Sequence, residues 1–281
     1  MLLLSALVLL PLVLELLAED GEKARPAQLL GWIRVLQSPA ASLLAWACSQ
    51  PEGSWAALAA APWLVVCGLA AATGWLRATK RGGGTSLGRL CGDTALVFLG
   101  VGGAWVLADR AGYQPLNFDR AIVALTAMHF HFAGLLLPTQ AGLIVRVFPE
   151  SRFAARAAVG TVLGVPAVAM GITATQLGFG PAFECAAGVG LALSGMAIAV
   201  LTVRLGTERV GSWIARGLFV IAGTSLFLGM ILAGCYALRS VAMPLPWLGI
   251  PAVRALHGTL NALGFGLGNV LAWTLAANRS H

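Results

Sequence analysis

The sequence predicts an all-α protein, a polytopic transmembrane helix bundle of about nine spans, with eight as the alternative count. Of its 281 residues, 58% are hydrophobic and only 10% are charged, and the mean hydropathy is +0.84. A soluble domain carries about 25% charged residues, so lipid must solvate most of this chain. Long apolar runs, rather than short alternating segments, favour helices over a β-barrel. With no soluble domain or internal repeat visible, we interpret residues 1–281 as a single integral membrane domain.

Nine stretches of the chain approach the roughly 20 apolar residues that a span needs. The first, Met1–Ala18, lacks a basic n-region and a cleavage site, so we expect a retained span rather than a signal peptide. The second, near Gln28–Cys48, is the weakest because Arg34, Gln37 and Pro39 interrupt it, and it accounts for the alternative count of eight. The others are Trp55–Leu76, Leu87–Ala108, Arg120–Val147, Phe153–Leu177, Ala182–Leu205, Trp213–Leu238 and Ala252–Ala277.

Basic residues are concentrated in alternate loops. Three groups carry them, while residues 49–54 and 178–181 contain no Lys or Arg. Short cytoplasmic loops carry the positive excess, so we predict an N-terminus outside and a C-terminus inside. The formal charge of +7 then reflects topology and anionic lipid headgroups, not nucleic-acid binding. The groups are Arg77, Lys80, Arg81 and Arg89; Arg146, Arg152 and Arg156; and Arg204, Arg209 and Arg216.

Several polar side chains fall inside the apolar stretches, and two histidines, His129 and His131, lie near the middle of the fifth. Ionisable residues within a span are rare, usually face a bundle interior and are functional candidates by default. The predicted topology puts six of these polar residues, from four helices, in the outer half of the bilayer. We therefore expect a shared polar cavity that opens outward. The six are His129, His131, His257, Asn261, Gln176 and Glu184.

Helical spacing separates these residues into faces. Residues three and four apart share one face of a helix, and two stripes result from this rule. His131 lies about 200° from His129 on a helix of 3.6 residues per turn, so a metal held by both rings would need a distorted helix. A hydrogen-bonded tether between helices is the structural alternative for either histidine. The stripes are Arg254, His257, Asn261, Gly264 and Gly268 in the ninth span, and Thr126, His129, Ala133 and Gln140 in the fifth.

Two motifs carry a resemblance to a known family. The first combines Asn117-Phe118-Asp119 with TAMHFHFAG at residues 126–134, and the second is HGTLNALGF at residues 257–265. Together they resemble the signatures of the YndJ-like family of bacterial integral membrane proteins. The resemblance implies a multi-pass protein of the bacterial cytoplasmic (inner) membrane. It points to His129, His131, His257 and Asn261, and it implies no particular reaction.

Our preferred hypothesis is a membrane-embedded enzyme of the isomerase, cyclase or hydrolase type acting on a lipophilic small molecule. A histidine suits proton transfer near neutral pH, so we expect His129 or His257 to act as the general acid or base, with His131 as a further candidate. We expect Glu184 to orient or charge an imidazole, and Asn261 to stabilise an oxyanion or fix a tautomer. Candidates for contact with the substrate are Gln176, Arg254, Arg239, Asp119 and Thr126, although the charged ones also suit interfacial anchoring.

Other functions stay open from the sequence. A divalent metal on His129, His257 and Glu184 would leave one position for water, and two histidines on different helices could bind haem. The enzyme hypothesis itself requires no cofactor. The alternative from another class is a transporter or permease for a small solute or protons, although no inverted repeat supports it. The partners we expect are the lipid bilayer and a lipophilic small-molecule substrate, with no nucleic acid.

Overall fold

A computed structural model of the chain describes residues 1–18, 21, 23–80, 86–241 and 246–277. Within these ranges the chain is helical and contains no strand, so the predicted fold class is confirmed. Nine continuous helical segments lie in the described ranges where the sequence predicts spans. They are α1 (Leu2–Leu16), α2 (Ala24–Ser49), α3 (Ser54–Lys80), α4 (Leu87–Ala111), α5 (Arg120–Val147), α6 (Arg152–Gln176), α7 (Ala182–Arg209), α8 (Trp213–Ser240) and α9 (250–277).

Six of the helices in the described ranges, α3 to α8, are long and apolar enough to cross a membrane. Helix α1 is apolar but shorter. Helix α2 has the length of a span, but polar residues such as Arg34 make it less apolar than α3 to α8. Helix α9 also has the length of a span, and its middle is the π-helical segment Leu260–Leu267. Arg81, which we assigned to a basic loop from the sequence, lies outside the described residues.

Local side-chain chemistry fixes several helix boundaries. The Asp119 carboxylate accepts a hydrogen bond from the Ala121 N–H at 2.8 Å and so caps the N-terminus of α5. Ser151 caps α6 in the same way through the Ala154 N–H. Such caps satisfy N–H groups that have no partner within the helix. Asp119, a predicted substrate contact, therefore has a structural role at the start of α5.

The chain divides into two compact units, Met1–Thr139 and Gln140–His281. Helix α5 begins in the first and ends in the second. In the first unit α3 packs closely on α4, where Gly74 leaves no space for a side chain against the backbone of Asp93. In the second, α7 packs on α8 through Gly188, which faces Ala237, and through Gly195. Small residues allow this close approach of helices in lipid. The single integral membrane domain stays a prediction.

A buried hydrogen-bonded group lies in the second unit. The side-chain N–H of Gln140 donates to the Thr202 hydroxyl at 2.8 Å, and the indole N–H of Trp273 donates to the Gln140 amide oxygen at 2.7 Å. Gln140 and Thr202 are fully buried. Polar groups in hydrocarbon must find partners within the protein, and this group joins α5, α7 and α9 within the second unit.

Among the described residues, three helices contain π-helical segments: Ser5–Leu9 in α1, Phe130–Gly134 in α5 and Leu260–Leu267 in α9. A π-segment widens the helix and is frequent at functional sites. The segment in α5 contains His131, and the segment in α9 contains Asn261. Both motifs that the sequence singles out therefore coincide with an irregular backbone.

Candidate functional site

His131 is a fully buried interhelical tether in the first unit. Its Nδ1 lies 2.8 Å from the carbonyl oxygen of Ala127, and its Nε2 lies 3.0 Å from the indole nitrogen of Trp63. A carbonyl oxygen only accepts and an indole N–H only donates. His131 is therefore the neutral tautomer with its proton on Nδ1, and both of its nitrogens are occupied.

The surroundings of His131 support the same conclusion. The Ser5 hydroxyl donates to its backbone carbonyl at 3.2 Å, and a Cβ on Gly102 would come within 2.7 Å of its Nδ1. The His131 ring thus joins α5 to α3 and packs against α4, and the His131 backbone carbonyl joins α5 to α1, all within the first unit. We expected His131 as a further catalytic candidate. The geometry instead favours the tether, because neither nitrogen can bind a substrate or haem without losing a buried hydrogen bond.

The remaining candidates of the first unit lie on α5. His129 is half-buried, and its ring packs edge-on against Phe130 with 5.9 Å between ring centres. The Thr126 hydroxyl donates to the Ile122 carbonyl of its own helix at 2.8 Å. Thr126, like Asp119, thus uses its polar group within the helix. His129 stays a candidate.

In the second unit the predicted stripe of α9 packs against α8. His257 hydrogen bonds to the carbonyl oxygen of Gly229 at 2.7 Å. Gly229 in turn faces the Asn261 amide, Gly264 faces Ser225, and Gly268 faces Ala222. Four of the five residues of the shared face predicted from the three- and four-residue spacing therefore pack against α8. Arg254, the first member of the predicted stripe, is exposed.

The hydrogen bond to Gly229 fixes the tautomer of His257. Because a carbonyl oxygen only accepts, the proton is on Nδ1 and the lone pair is on Nε2. The Asn261 amide nitrogen lies 3.1 Å from Nδ1 and 3.3 Å from Nε2. An atom nearly equidistant from both ring nitrogens cannot lie in the ring plane on the outward axis of either nitrogen. The Asn261 amide nitrogen therefore lies over the face of the ring. Among the described residues, none accepts or donates along the in-plane lone pair of Nε2.

Asn261 is oriented by a second hydrogen bond, because its amide nitrogen donates to the backbone carbonyl of His257 at 2.9 Å. Its amide oxygen, Oδ1, is buried and has no hydrogen-bond partner in the part of the chain that the structure describes. We call His257, Asn261, Gly229 and Ser225 the α8–α9 site. A role for Asn261 as an oxyanion donor stays a prediction. The contacts count against it, because the amide nitrogen donates to the His257 carbonyl and otherwise faces the imidazole ring, and the side-chain atom without a partner in the described chain is an acceptor.

Glu184 lies at another level of the second unit. Its carboxylate pairs with Arg239 at 2.9 Å, and the Arg239 guanidinium stacks 3.8 Å from the centre of the Tyr236 ring. Arg239 is ten residues beyond Gly229 on α8, or about 15 Å at 1.5 Å per residue. A role for Glu184 in orienting an imidazole stays a prediction, and the separation along α8 counts against His257 as its partner. Gln176, which ends α6, is exposed.

Metal chemistry finds no support in the side chains. Among the described residues, no group of three or more His, Cys, Asp or Glu side chains could hold a metal ion. His129 belongs to the first unit, whereas His257, Asn261, Glu184 and Gln176 belong to the second. A single cavity shared by all of them stays a prediction.

Three residues that matter here, Trp63, Gly229 and Ser225, were not among the sequence candidates. Trp63 lies inside α3, away from the helix ends where interfacial tryptophans are found, and this position is a usable signal. Gly229 contributes its backbone carbonyl, and a backbone group has no signature in the sequence.

Comparison with known proteins places the chain in a family. The family model described as YndJ-like protein matches residues 1–265. A relative from Bacillus subtilis (strain 168), "Uncharacterized membrane protein YndJ", is 35% identical over 79 residues, which is 28% of this chain and 14% of that protein. The match thus spans a small part of the relative's length. No solved structure matches. The chain is a membrane protein that belongs to the YndJ-like family.

Proposed function

We propose that the protein is a membrane-embedded enzyme that transfers a proton on a lipophilic small molecule, with His257 as the general acid and base. The observation that carries the proposal is the 2.7 Å hydrogen bond from His257 Nδ1 to the Gly229 carbonyl. It fixes the tautomer and orientation of the ring, and it leaves the lone pair of Nε2 for the substrate. A general base must be within hydrogen-bond reach of the proton that it removes.

The same hydrogen bond supports the protonated state. When Nε2 takes a proton, the ring becomes an imidazolium and its Nδ1–H remains on the Gly229 carbonyl. Hydrogen bonds with a charged donor are stronger than those between neutral groups, so the fixed carbonyl stabilises the charge as it develops. His257 can therefore take a proton from one atom of a substrate and return it to another.

The position of the site favours a lipophilic substrate. Leu256 and Leu263 flank His257 and Asn261 along α9 and are 49% and 50% exposed. Exposed leucines on this helix suit contact with lipid chains, so a membrane-dissolved molecule would meet α9 directly from the bilayer. Because Asn261 offers an acceptor rather than an oxyanion donor, the site suits isomerisation or cyclisation better than hydrolysis.

Incorporation of deuterium from solvent into a lipid tests the proposal. Proton transfer by the enzyme would exchange a hydrogen atom of whichever lipid serves as its substrate. Wild-type protein reconstituted in nanodiscs with a bacterial total lipid extract is incubated in D2O, and the lipids are analysed by mass spectrometry. We expect one lipid species to gain deuterium in a protein-dependent way. His257→Asn keeps a donor for the Gly229 carbonyl but lacks Nε2, so it should abolish the uptake.

Glu184→Gln is the matched control, because it changes a polar group of the same unit away from the α8–α9 site, and it should retain the uptake. Equal uptake in wild type and His257→Asn would refute the role of His257. No uptake into any lipid by folded wild-type protein would refute the enzyme and leave transport as the function to test.

A further inference from the structure

We infer that the α8–α9 site binds a neutral lipophilic alcohol and holds its hydroxyl group by hydrogen bonds to Asn261 and Ser225. The inference rests on the proposed function only for the location of the site, and it names the class of substrate. It starts from the polar atoms at the site that have no partner within the described chain.

The first of these atoms is Oδ1 of Asn261. The assignment of oxygen and nitrogen in the Asn261 side chain is fixed by its contacts, because the atom 2.9 Å from the His257 carbonyl must be a donor. The opposite atom is therefore the acceptor, and it is the buried one without a partner in the described chain. A buried acceptor left without a donor is costly, and more so where lipid replaces water. A ligand that donates a hydrogen bond would remove this cost.

The second atom is the hydroxyl oxygen of Ser225. Ser225 is one turn before Gly229 on α8, and a Cβ on Gly264 would come 2.1 Å from its Oγ. Because Gly229 faces Asn261 and Gly264 is one turn beyond Asn261, the hydroxyl lies about one helical turn from the Asn261 amide. The Ser225 side chain makes no hydrogen bond within the described part of the chain. Its hydroxyl can donate or accept.

The hydrogen-bonding character of these atoms selects the ligand. The site presents two acceptors, Asn261 Oδ1 and His257 Nε2, and one hydroxyl that can serve either way. An alcohol carries one donor and also accepts, so it complements this set. A carboxylate or a fully ionised phosphate carries only acceptors, so it would face the Asn261 oxygen without offering it a donor.

A cationic side chain lies outside this set. Arg254 is exposed and is one turn towards the start of α9 from His257. An anionic lipid that bound there would depend on Arg254 and not on Asn261. For this reason the experiment includes an anionic ligand beside the alcohol.

The direct test compares three ligands that share one hydrocarbon chain. Binding of radiolabelled geranylgeraniol, geranylgeranyl methyl ether and geranylgeranyl phosphate is measured on wild-type protein in nanodiscs by scintillation proximity. The ether keeps the oxygen but lacks the donor. We expect the alcohol to bind at least tenfold more tightly than either of the others, because only the alcohol donates to Asn261 Oδ1.

Two variants localise the binding. Asn261→Leu removes the acceptor, and Ser225→Ala removes only a hydroxyl and leaves the helix contact intact. We expect each to reduce the preference for the alcohol over the ether at least fivefold, at an unchanged amount of folded protein. Equal binding of the ether and the alcohol to wild type would overturn the inference. So would tighter binding of the phosphate, or an alcohol preference that neither variant changes.

Failure of this inference and failure of the proposed function are distinguishable. If the alcohol binds with the expected preference but wild type takes up no deuterium, the alcohol site stands and the enzyme does not. If deuterium enters a lipid that has no O–H or N–H group, the enzyme stands and the alcohol is overturned as its substrate class.

Discussion

Replacing Trp63 by phenylalanine tests whether His131 is a structural tether. Trp63 is fully buried and donates its indole N–H to His131 Nε2 at 3.0 Å. The substitution removes that donor and leaves a buried acceptor without its partner, which costs about 1–3 kcal/mol. The Cys67 Sγ, 4.0 Å from the same nitrogen, is a weak substitute. The smaller ring also loses packing, so the single variant alone overstates the hydrogen bond.

A double-mutant cycle with His131→Leu separates the two effects. Removing both partners eliminates the unsatisfied acceptor, so the double variant should be less destabilised than the sum of the single variants. We expect a coupling free energy of about 0.6–1.7 kcal/mol, the range that double-mutant cycles give for hydrogen bonds between transmembrane helices. Reversible unfolding by SDS in mixed micelles gives the free energies for all four proteins. Additive effects within about 0.3 kcal/mol would refute the tether.

The cycle also tests the division of roles between the histidines. A tether supports the fold, so Trp63→Phe should retain deuterium uptake per folded molecule. Loss of uptake in Trp63→Phe at full folding would mean that His131 takes part in the chemistry, and our assignment of the chemistry to His257 would then be wrong.

Three further predictions concern the second unit. Gly229→Ala places a Cβ 2.6 Å from the Asn261 amide nitrogen, so it should displace Asn261 and reduce deuterium uptake at least tenfold; uptake at the wild-type rate would show that the position of Asn261 is irrelevant. Asn269→Leu removes a buried amide oxygen that has no partner among the described residues, so SDS unfolding should show stabilisation of about 1 kcal/mol or more, and a destabilised variant would indicate an unrecognised partner. Glu184→Gln breaks a partly exposed pair with Arg239 and should cost no more than about 1 kcal/mol, whereas a larger loss in the same assay would mean that the pair is essential to the fold.

Hydropathy and helical spacing account for much of the fold. Runs of apolar residues locate all nine described helices, and even the interrupted stretch near Gln28–Cys48 forms the continuous helix α2. The stripe of His257, Asn261, Gly264 and Gly268 faces α8 because small and polar residues at three- and four-residue spacing share one side of a helix. The family resemblance is also confirmed, on residues 1–265.

The partners of the histidines were not predictable in the same way. His257 bonds to the carbonyl of Gly229, and every residue carries such a group, so composition gives no indication of which one is used. His131 bonds to Trp63, which is distant in sequence and apolar in most of its surface. Glu184 pairs with Arg239, because the start of α7 and the end of α8 bring the two opposite charges together. The sequence did not indicate this pairing.

The π-segments were also not predictable from the sequence. Helical spacing assumes 3.6 residues per turn, and a π-segment widens the turn and shifts the helical phase of the residues after it. In α5 this segment begins between His129 and His131, at Phe130. No pattern of apolar residues at ordinary spacing reveals it, although the two motifs that coincide with π-segments are rich in Gly, His and Asn.

The tautomer of His257 is the most direct test of the central claim. Protein with 15N-labelled histidine is reconstituted in lipid and studied by solid-state NMR at neutral pH, and the His257 signals are assigned by their loss in His257→Asn. The structure predicts a protonated Nδ1 and an unprotonated Nε2, because Nδ1 lies 2.7 Å from the Gly229 carbonyl. A neutral ring with its proton on Nε2 would contradict the geometry, and His257 would then lack the lone pair on which the proposed proton transfer depends.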